Sequence, residues 1–414
     1  MRYYLLSLLA LSGAVTAWLP SERDLFGEQP NSVARSVSIG KGRSIKRFDS
    51  SYNKIRGVNL GSLFIIEPWM CADEWKSMGC DGTNSEFDCV LKLGQDAANA
   101  AFKKHWDTWI TEQDLDRMKE YGLNTIRVPV GYWLVEDTVY ADSEHFPQGG
   151  LEYLDRLAGW AASRNIYVIL DLHGAPGAQE PNQPFTGQYA PSAGFFVSWQ
   201  YDRAYKFLQT MTERIHKNNA YRTTGMIEVL NEPERNHPDL ITTYYATAYD
   251  KIRETEENLN IPGAQQLTIQ FMDQAWGAGN PRDVLQGKTG VAFDDHRYLK
   301  WAPIEQSKQS YLSTSCSDTF GDGDSKPIIV GEWSLAVDSN QEWNAGWDPT
   351  KEENKAFYTQ WWAAQVQAYE KGLGWAFWSW KTQLGGDWRW SYSAAVDAGV
   401  IPKDPGQAAA LAKC

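Results

Sequence analysis

Ile227-Glu-Val-Leu-Asn-Glu-Pro233 and Ile328-Ile-Val-Gly-Glu-Trp333 are two short β-type runs, and each closes on a glutamate, Glu232 in the first and Glu332 in the second. Taken singly, either glutamate also reads as the first polar residue after a buried strand. The neighbours weigh against that reading. Asn231 sets an amide beside Glu232, Pro233 stops the strand and stiffens the turn behind it, and Trp333 offers an apolar face beside Glu332. Two carboxylates delivered by strand ends are what glycosidic-bond cleavage needs. One must be neutral to protonate the leaving oxygen, while the other is ionised to meet positive charge at the anomeric carbon. Strand ends hold such groups more rigidly than loops do.

Working outward, strand-like segments recur at 55–60, 124–129, 167–172, 226–231, 267–272, 290–294, 328–332 and 374–380. Amphipathic stretches fall between several of them, at 111–121, 151–164, 204–217, 240–257 and 353–371. The alternation and the strand count predict an α/β fold, a (β/α)8 TIM barrel, with residues 48–414 as one catalytic domain and loop insertions, the largest from Pro68 to His105. On that frame Arg127, Asp171 with His173, Asn231 with Glu232, His296 with Tyr298, Glu332, and Trp378 with Trp380 fall at or just beyond strand C-termini. That face carries the active site of a barrel enzyme. Each residue alone has a structural reading: Arg127 as a buried ion-pair partner, His173 as a satisfied core histidine, Trp378 as a core aromatic. The functional reading rests on the set.

Residues 1–17 carry Arg2, an apolar run from Leu5 to Leu11 and the small-residue site Val15-Thr16-Ala17, the pattern of a secretory signal peptide. Residues 18–47 end in Lys46-Arg47 and read equally as a propeptide or a flexible N-terminal arm. No later segment is apolar enough to span a bilayer, so a secreted protein, extracellular or in the cell wall, is expected. A net charge of -13 disfavours nucleic acid or an anionic membrane as partner and suits a neutral substrate. Five cysteines in an exported chain imply disulfides and a leftover thiol. Pairing Cys316 with Cys414 would pin the C-terminus, and Cys71, Cys80 and Cys89 then hold one bond and one spare thiol, with the pairing open. These three have no histidine pair at ligand spacing, and the acidic run 318–324 lacks the spacing of a calcium loop, so neither a metal nor a cofactor is expected. Phosphate loops, zinc-protease helices and serine nucleophile elbows do not occur, which removes the commonest rival hydrolases. Twenty tryptophans and twenty tyrosines suit a glycan cleft, with Trp69, Trp133, Trp276, Trp301, Trp333 and Trp388 expected over the active face.

With Asp-Leu-His-Gly at 171–174, Asn-Glu-Pro at 231–233, His-Arg-Tyr at 296–298, Gly-Glu-Trp at 331–333 and Phe-Trp-Ser-Trp-Lys at 377–381, the chain resembles glycoside hydrolase family 5, the retaining β-glycanases of clan A, over residues 50 to 402. The resemblance implies Glu232 as acid/base and Glu332 as nucleophile. It further implies Arg127 and Tyr298 as positioners of the nucleophile, Asn231 as holder of the sugar 2-hydroxyl, and His173, His296 and either Trp378 or Trp380 as lining of the subsite where the bond breaks. Asn59-Leu-Gly61 followed by Phe64-Ile-Ile-Glu-Pro-Trp69 is similar to fungal cell-wall glucanases, in which the glutamate matching Glu67 binds glucose hydroxyls. Two groups share that segment, the exo-β-1,3-glucanases and the endo-β-1,6-glucanases. The stretches 143–147, 173–179, 184–189, 295–301 and 389–392 resemble the second group, which implies an endo-β-1,6-glucanase acting on β-glucan polysaccharide; a monomer is expected. The alternatives are an exo-β-1,3-glucosidase or a transglycosylase. A carbohydrate-binding barrel without chemistry would lack one of the two glutamates, and both are present.

Overall fold

The computed structural model describes residues 54–319 and 327–414. The expected leader at 1–17, the segment 18–47 and most of the acidic run 318–324 lie outside the described residues. The strands are β1 (Ile55–Asn59), β2 (Thr125–Gly131), β3 (Tyr167–Gly174), β4 (Thr224–Glu228), β5 (Thr268–Met272), β6 (Val291–Arg297), β7 (Ile328–Trp333) and β8 (Gly374–Phe377). They pair in parallel and in chain order, and β8 closes on β1, giving the expected barrel.

Strand alternation divides the core in two. Ile55, Tyr167, Ile169, Met226, Ala292 and Ile329 form one cluster that plugs the N-terminal end of the barrel interior. Their neighbours Ile126, Val168, Leu170, Ile227, Phe293 and Val330 point outward into a second cluster shared with the helices. Two residues further along β3, β4, β5 and β6, the inward positions turn polar: Asp171, Glu228, Gln270 and Asp294, all fully buried. The cleft lined by Glu232 and Glu332 lies above this layer.

Helices cover the outside at Glu112–Glu120, Gly150–Ser163, Ser198–Lys217, Ala246–Asn258, Lys308–Ser317 and Glu352–Tyr369. The first is started by a capping box between Thr111 and Asp114. The insertion after β1 is itself helical, at Ala72–Ser77, Glu86–Leu93 and Gln95–Thr108. Its spare thiol is Cys71, buried and pushed up to about 12 by that burial, while Cys80 pairs with Cys89. Cys316 pairs with Cys414, as expected, and ties the C-terminal segment to the Lys308–Ser317 helix. Among the described residues no helix is long and apolar enough to cross a membrane.

Two strands are shorter than the sequence suggests. The run 226–231 leaves the sheet after Glu228, so Glu232 stands on a turn above β4 rather than on the strand itself. The run 374–380 stops at Phe377, and the Trp378-Ser379 peptide is cis. Trp378 and Trp380 both lie beyond the end of β8 and so do not share a strand face.

Candidate active site

The position of Glu332 is set by a bulge. Asp295 pairs with Val330 but His296 pairs with Glu332, leaving Gly331 as an extra residue in β7. That residue shifts the alternation so that Glu332 points inward and Trp333 outward. Only glycine fits there, because a Cβ at 331 would lie 2.1 Å from Asp294 Oδ2. The bulge is gripped on both sides: Gly331 N–H donates to Asp294 Oδ1 (2.7 Å), and its carbonyl accepts from Asn59 Nδ2 (2.7 Å). The Glu332 carboxylate then accepts from Arg127 Nη1 (2.9 Å) and from the Tyr298 hydroxyl (2.8 Å).

Glu232 is held differently. Its backbone has φ +35, a conformation seldom adopted by a residue with a side chain, and the residue before proline has few alternatives to begin with. Gln179, buried in the loop after β3, secures the segment: its Nε2 donates to the Asn231 carbonyl (3.0 Å), and its backbone carbonyl accepts from Glu234 N–H (2.8 Å). The Asn231 N–H donates to the Leu172 carbonyl (3.0 Å), and Asn231 Oδ1 accepts from Arg127 Nη2 (2.8 Å). His296 Nδ1 meets Glu232 Oε1 at 2.6 Å. Oxygens of Glu232 and Glu332 and a ring nitrogen of His296 all lie within 4.8 Å of one another.

The cleft above these groups holds about 720 Å³. His173, fixed by Asp171 Oδ2 at 2.7 Å, stacks on Trp378 with ring centres 5.5 Å apart, and both line the cleft. Glu67 lines it too, accepting from Trp69 Nε1 at 2.9 Å. The loop that presents Glu67 is held by the helical insertion, since Glu86 accepts from Ile66 N–H (2.8 Å) and Trp109 donates to the Gly61 carbonyl (3.0 Å). Trp69, Trp276 and Trp301 line the cleft as expected.

Four aromatic expectations are corrected. Trp380 is buried and donates to Asp114 Oδ1 (2.9 Å), away from the cleft that Trp378 lines. Trp333 faces outward into Trp375 and Phe377 because it follows an inward Glu332. Trp133 is stacked on Phe146 at 4.2 Å beneath Gly131, Gly174 and Gly187, glycines that leave room for its ring. Trp388 is buried and donates to the Pro349 carbonyl (3.1 Å). In their place the cleft uses Phe185, Trp343 and Trp390. Nothing in the sequence marked Trp343, which lies in a segment without periodicity, and Trp390 was marked only by the resemblance of 389–392. Glu228, Asp294 and Gln179 were also missed. Strand parity could have found the first two, because Glu228 follows inward Met226 and Asp294 follows inward Ala292.

The electrostatics follow from burial. Burial pushes the Glu332 carboxyl above the usual glutamate range, opposed by the cations of His296 and Arg127 and reinforced by Glu232. Burial works against the His296 imidazolium, yet Glu332 and Asp294 hold it protonated well beyond the usual histidine range. Burial lifts Tyr298 far above the phenol range, aided by Glu332, so it stays a donor. Glu67 is raised to about 7 by burial, which lets one carboxyl both donate and accept near neutrality. Among the described residues Glu232, His296 and Glu332 are the one group close enough to share an ion. Their charges are already met by Arg127 and the His296 imidazolium, so the donor set suits a sugar cation better than a metal.

The chain matches known proteins over most of its length. The family model described as Cellulase (glycosyl hydrolase family 5) matches residues 90–383. A protein of Neosartorya fischeri named "Probable glucan endo-1,6-beta-glucosidase B" is 54% identical over 413 residues, covering 99% of each chain. The "Glucan endo-1,6-beta-glucosidase B" of Emericella nidulans is 52% identical over 97% of each. A "Glucan 1,3-beta-glucosidase" of Blumeria graminis is 30% identical over 86% of this chain and 88% of its own. The fold is shared with a rutinosidase from Aspergillus niger, at 18% identity and a TM-score of 0.65 over 84% of this chain and 97% of that one. On the family model, the relatives and the closed barrel together, the chain belongs to glycosyl hydrolase family 5.

Proposed function

We propose that this chain is a secreted, retaining endo-β-1,6-glucanase acting on fungal-type wall glucan. The observation that carries the chemistry is the spacing of Glu232 and Glu332, whose oxygens lie within 4.8 Å. An inverting enzyme needs room for water between its carboxyls, about 6.5–9.5 Å, whereas a double displacement uses about 5–5.5 Å.

In this reading Glu332 attacks the anomeric carbon while Glu232 gives its proton to the departing glycosidic oxygen, leaving a covalent glycosyl-enzyme. Glu232 then takes a proton from water, the water oxygen bonds to the anomeric carbon, and the ester to Glu332 breaks with the β-configuration restored. Arg127 and Tyr298 aim the nucleophile, and Asn231 holds the 2-hydroxyl in this reading. His173 and Trp378 line the cleft under the reacting sugar, His296 is buried beneath and holds Glu232, and Glu67 grips the sugar hydroxyls. The linkage rests on the relatives at 54% and 52% identity, both named for endo-1,6 cleavage, against the one at 30% named for 1,3. Action outside the cell is supported by the leader pattern at 1–17 and by two disulfides, which persist in oxidising compartments.

The two glutamates fail in different ways. Glu332→Gln removes the nucleophile and abolishes turnover of every substrate, whereas Glu232→Gln retains slow turnover of aryl glucosides whose leaving groups need no proton. Steady-state rates on glucan and on an aryl glucoside check this, and near-normal glucan cleavage by either variant contradicts it.

The pH profile follows from Glu332, which must be ionised to attack. Its pKa is raised above the ordinary 4.5, so the ionised fraction falls as pH drops through a value above 4.5. The acid limb of kcat/KM therefore bends above that pH. An acid limb bending below the ordinary glutamate value contradicts the assignment.

Linear β-1,6-glucan is cut internally, so short oligosaccharides precede glucose in a time course, with little action on linear β-1,3-glucan. Glucose as the first product, with β-1,3-glucan the better substrate, replaces this reading with the exo-β-1,3 one.

A further inference from the structure

Trp343 lies on the segment between β7 and the Glu352–Tyr369 helix, lines the cleft and is 58% exposed. An indole left that open contributes little to a core, and Trp133, Trp333 and Trp388 show what this fold does with structural tryptophans, which is to bury them. The turn that carries Trp343 is nevertheless built with care. Arg389 is fully buried, with its guanidinium carbon 5.0 Å from the centre of the Trp343 ring. The same guanidinium donates from Nη1 to the Glu342 carbonyl (2.7 Å) and from Nε and Nη2 to the Asp387 carboxylate (both 2.7 Å). On the other side Lys300 Nζ donates to the Val337 carbonyl (2.9 Å) and to Glu342 Oε2 (2.8 Å). Two cations with little solvent exposure thus fix one exposed ring and two carboxylates, and Glu342, Asp387 and Trp343 all face the same cleft as Glu232 and Glu332.

We propose that Trp343, flanked by Glu342 and Asp387, is a distal sugar subsite that stacks a glucose unit of the β-1,6-glucan chain remote from the bond being cut. It rests on the glucanase reading above and adds where the chain is held. A flat ring with a cation packed against it presents its free face to the apolar face of a pyranose, while the carboxylates accept from the ring hydroxyls at its edge. The 1,6 linkage runs through an exocyclic methylene and so carries an extra rotatable bond, which makes the free chain flexible and costly to order. A platform fixed before binding lowers that ordering cost. Its role is to favour long chains over short ones and thereby internal cleavage.

The test compares wild type, Trp343→Ala and Trp343→Phe on long linear β-1,6-glucan and on a β-1,6-linked glucose trimer. The expected result is that the ratio of kcat/KM for polymer to kcat/KM for trimer falls about tenfold in Trp343→Ala, as for the loss of one stacked ring. Trp343→Phe, which keeps a flat face, recovers most of the ratio. Weaker retention of the Glu332→Gln, Trp343→Ala double variant than of Glu332→Gln alone in a native gel containing β-1,6-glucan reads the same subsite without turnover. An unchanged ratio, or an equal loss on both substrates, overturns the subsite. Wild-type inactivity on both β-1,6 substrates instead overturns the glucanase reading on which it rests.

Discussion

One buried guanidinium organises this molecule. Arg127 projects from β2 into the barrel, where Asp171, Glu228, Asp294 and Glu332 lie within 2.8 to 3.5 Å of its nitrogens. Its Nη1 and Nη2 also donate to the side-chain carbonyls of Asn59 and Asn231. Desolvating so many charges is costly, and the arrangement persists because each partner's loss costs more: removing one member of a buried pair typically takes about 3–5 kcal/mol. One cation cannot neutralise four carboxylates. The structure resolves the excess with protons and a second cation, since burial drives the Glu228 carboxyl far above its usual range and the His296 imidazolium stays charged beside Asp294.

Rigidity at the reaction centre follows from that network. Arg127 bonds directly to Glu332 and to Asn231, the residue before Glu232, so both proposed catalytic glutamates hang from the same guanidinium. Asp294 extends the control to the backbone by holding the Gly331 bulge that turns Glu332 inward. The two glutamates are also placed by different means, one on a bulged strand and one on a strained turn. Such separate environments are how one site keeps one carboxyl as nucleophile and its neighbour as proton donor.

The barrel was legible from the sequence because its signals are local. Runs such as Tyr-Val-Ile-Leu at 167–170 announce strands buried on both faces, and their regular alternation with amphipathic helices leaves few other topologies. The clustering of Arg127, His173, Asn231, Glu232, His296, Tyr298, Glu332 and Trp378 was legible for the same reason, since strand C-termini converge in a barrel. The misses were those where one residue of phase decides. From sequence Trp333 reads as a sugar platform, although an inward Glu332 forces it outward, and Trp380 reads as an alternative to Trp378, although β8 ends before either. Loop aromatics carry no period at all. Trp343 and Trp390 reach the cleft through contacts with Arg389, Trp69 and Tyr298 that are distant in sequence, and Trp133 leaves it because three glycines make room below.

In the proposed mechanism Glu332, aimed by Arg127 and Tyr298, forms the covalent bond to the sugar. Trapping measures this directly: a 2-deoxy-2-fluoro-β-glucosyl donor with a good leaving group slows breakdown of the glycosyl-enzyme, and mass spectrometry of the digested protein locates the label. The expected result is one fluoroglucosyl group per chain, on Glu332. A label on Glu232, or an enzyme that turns over β-glucan yet never acquires the label, would contradict it.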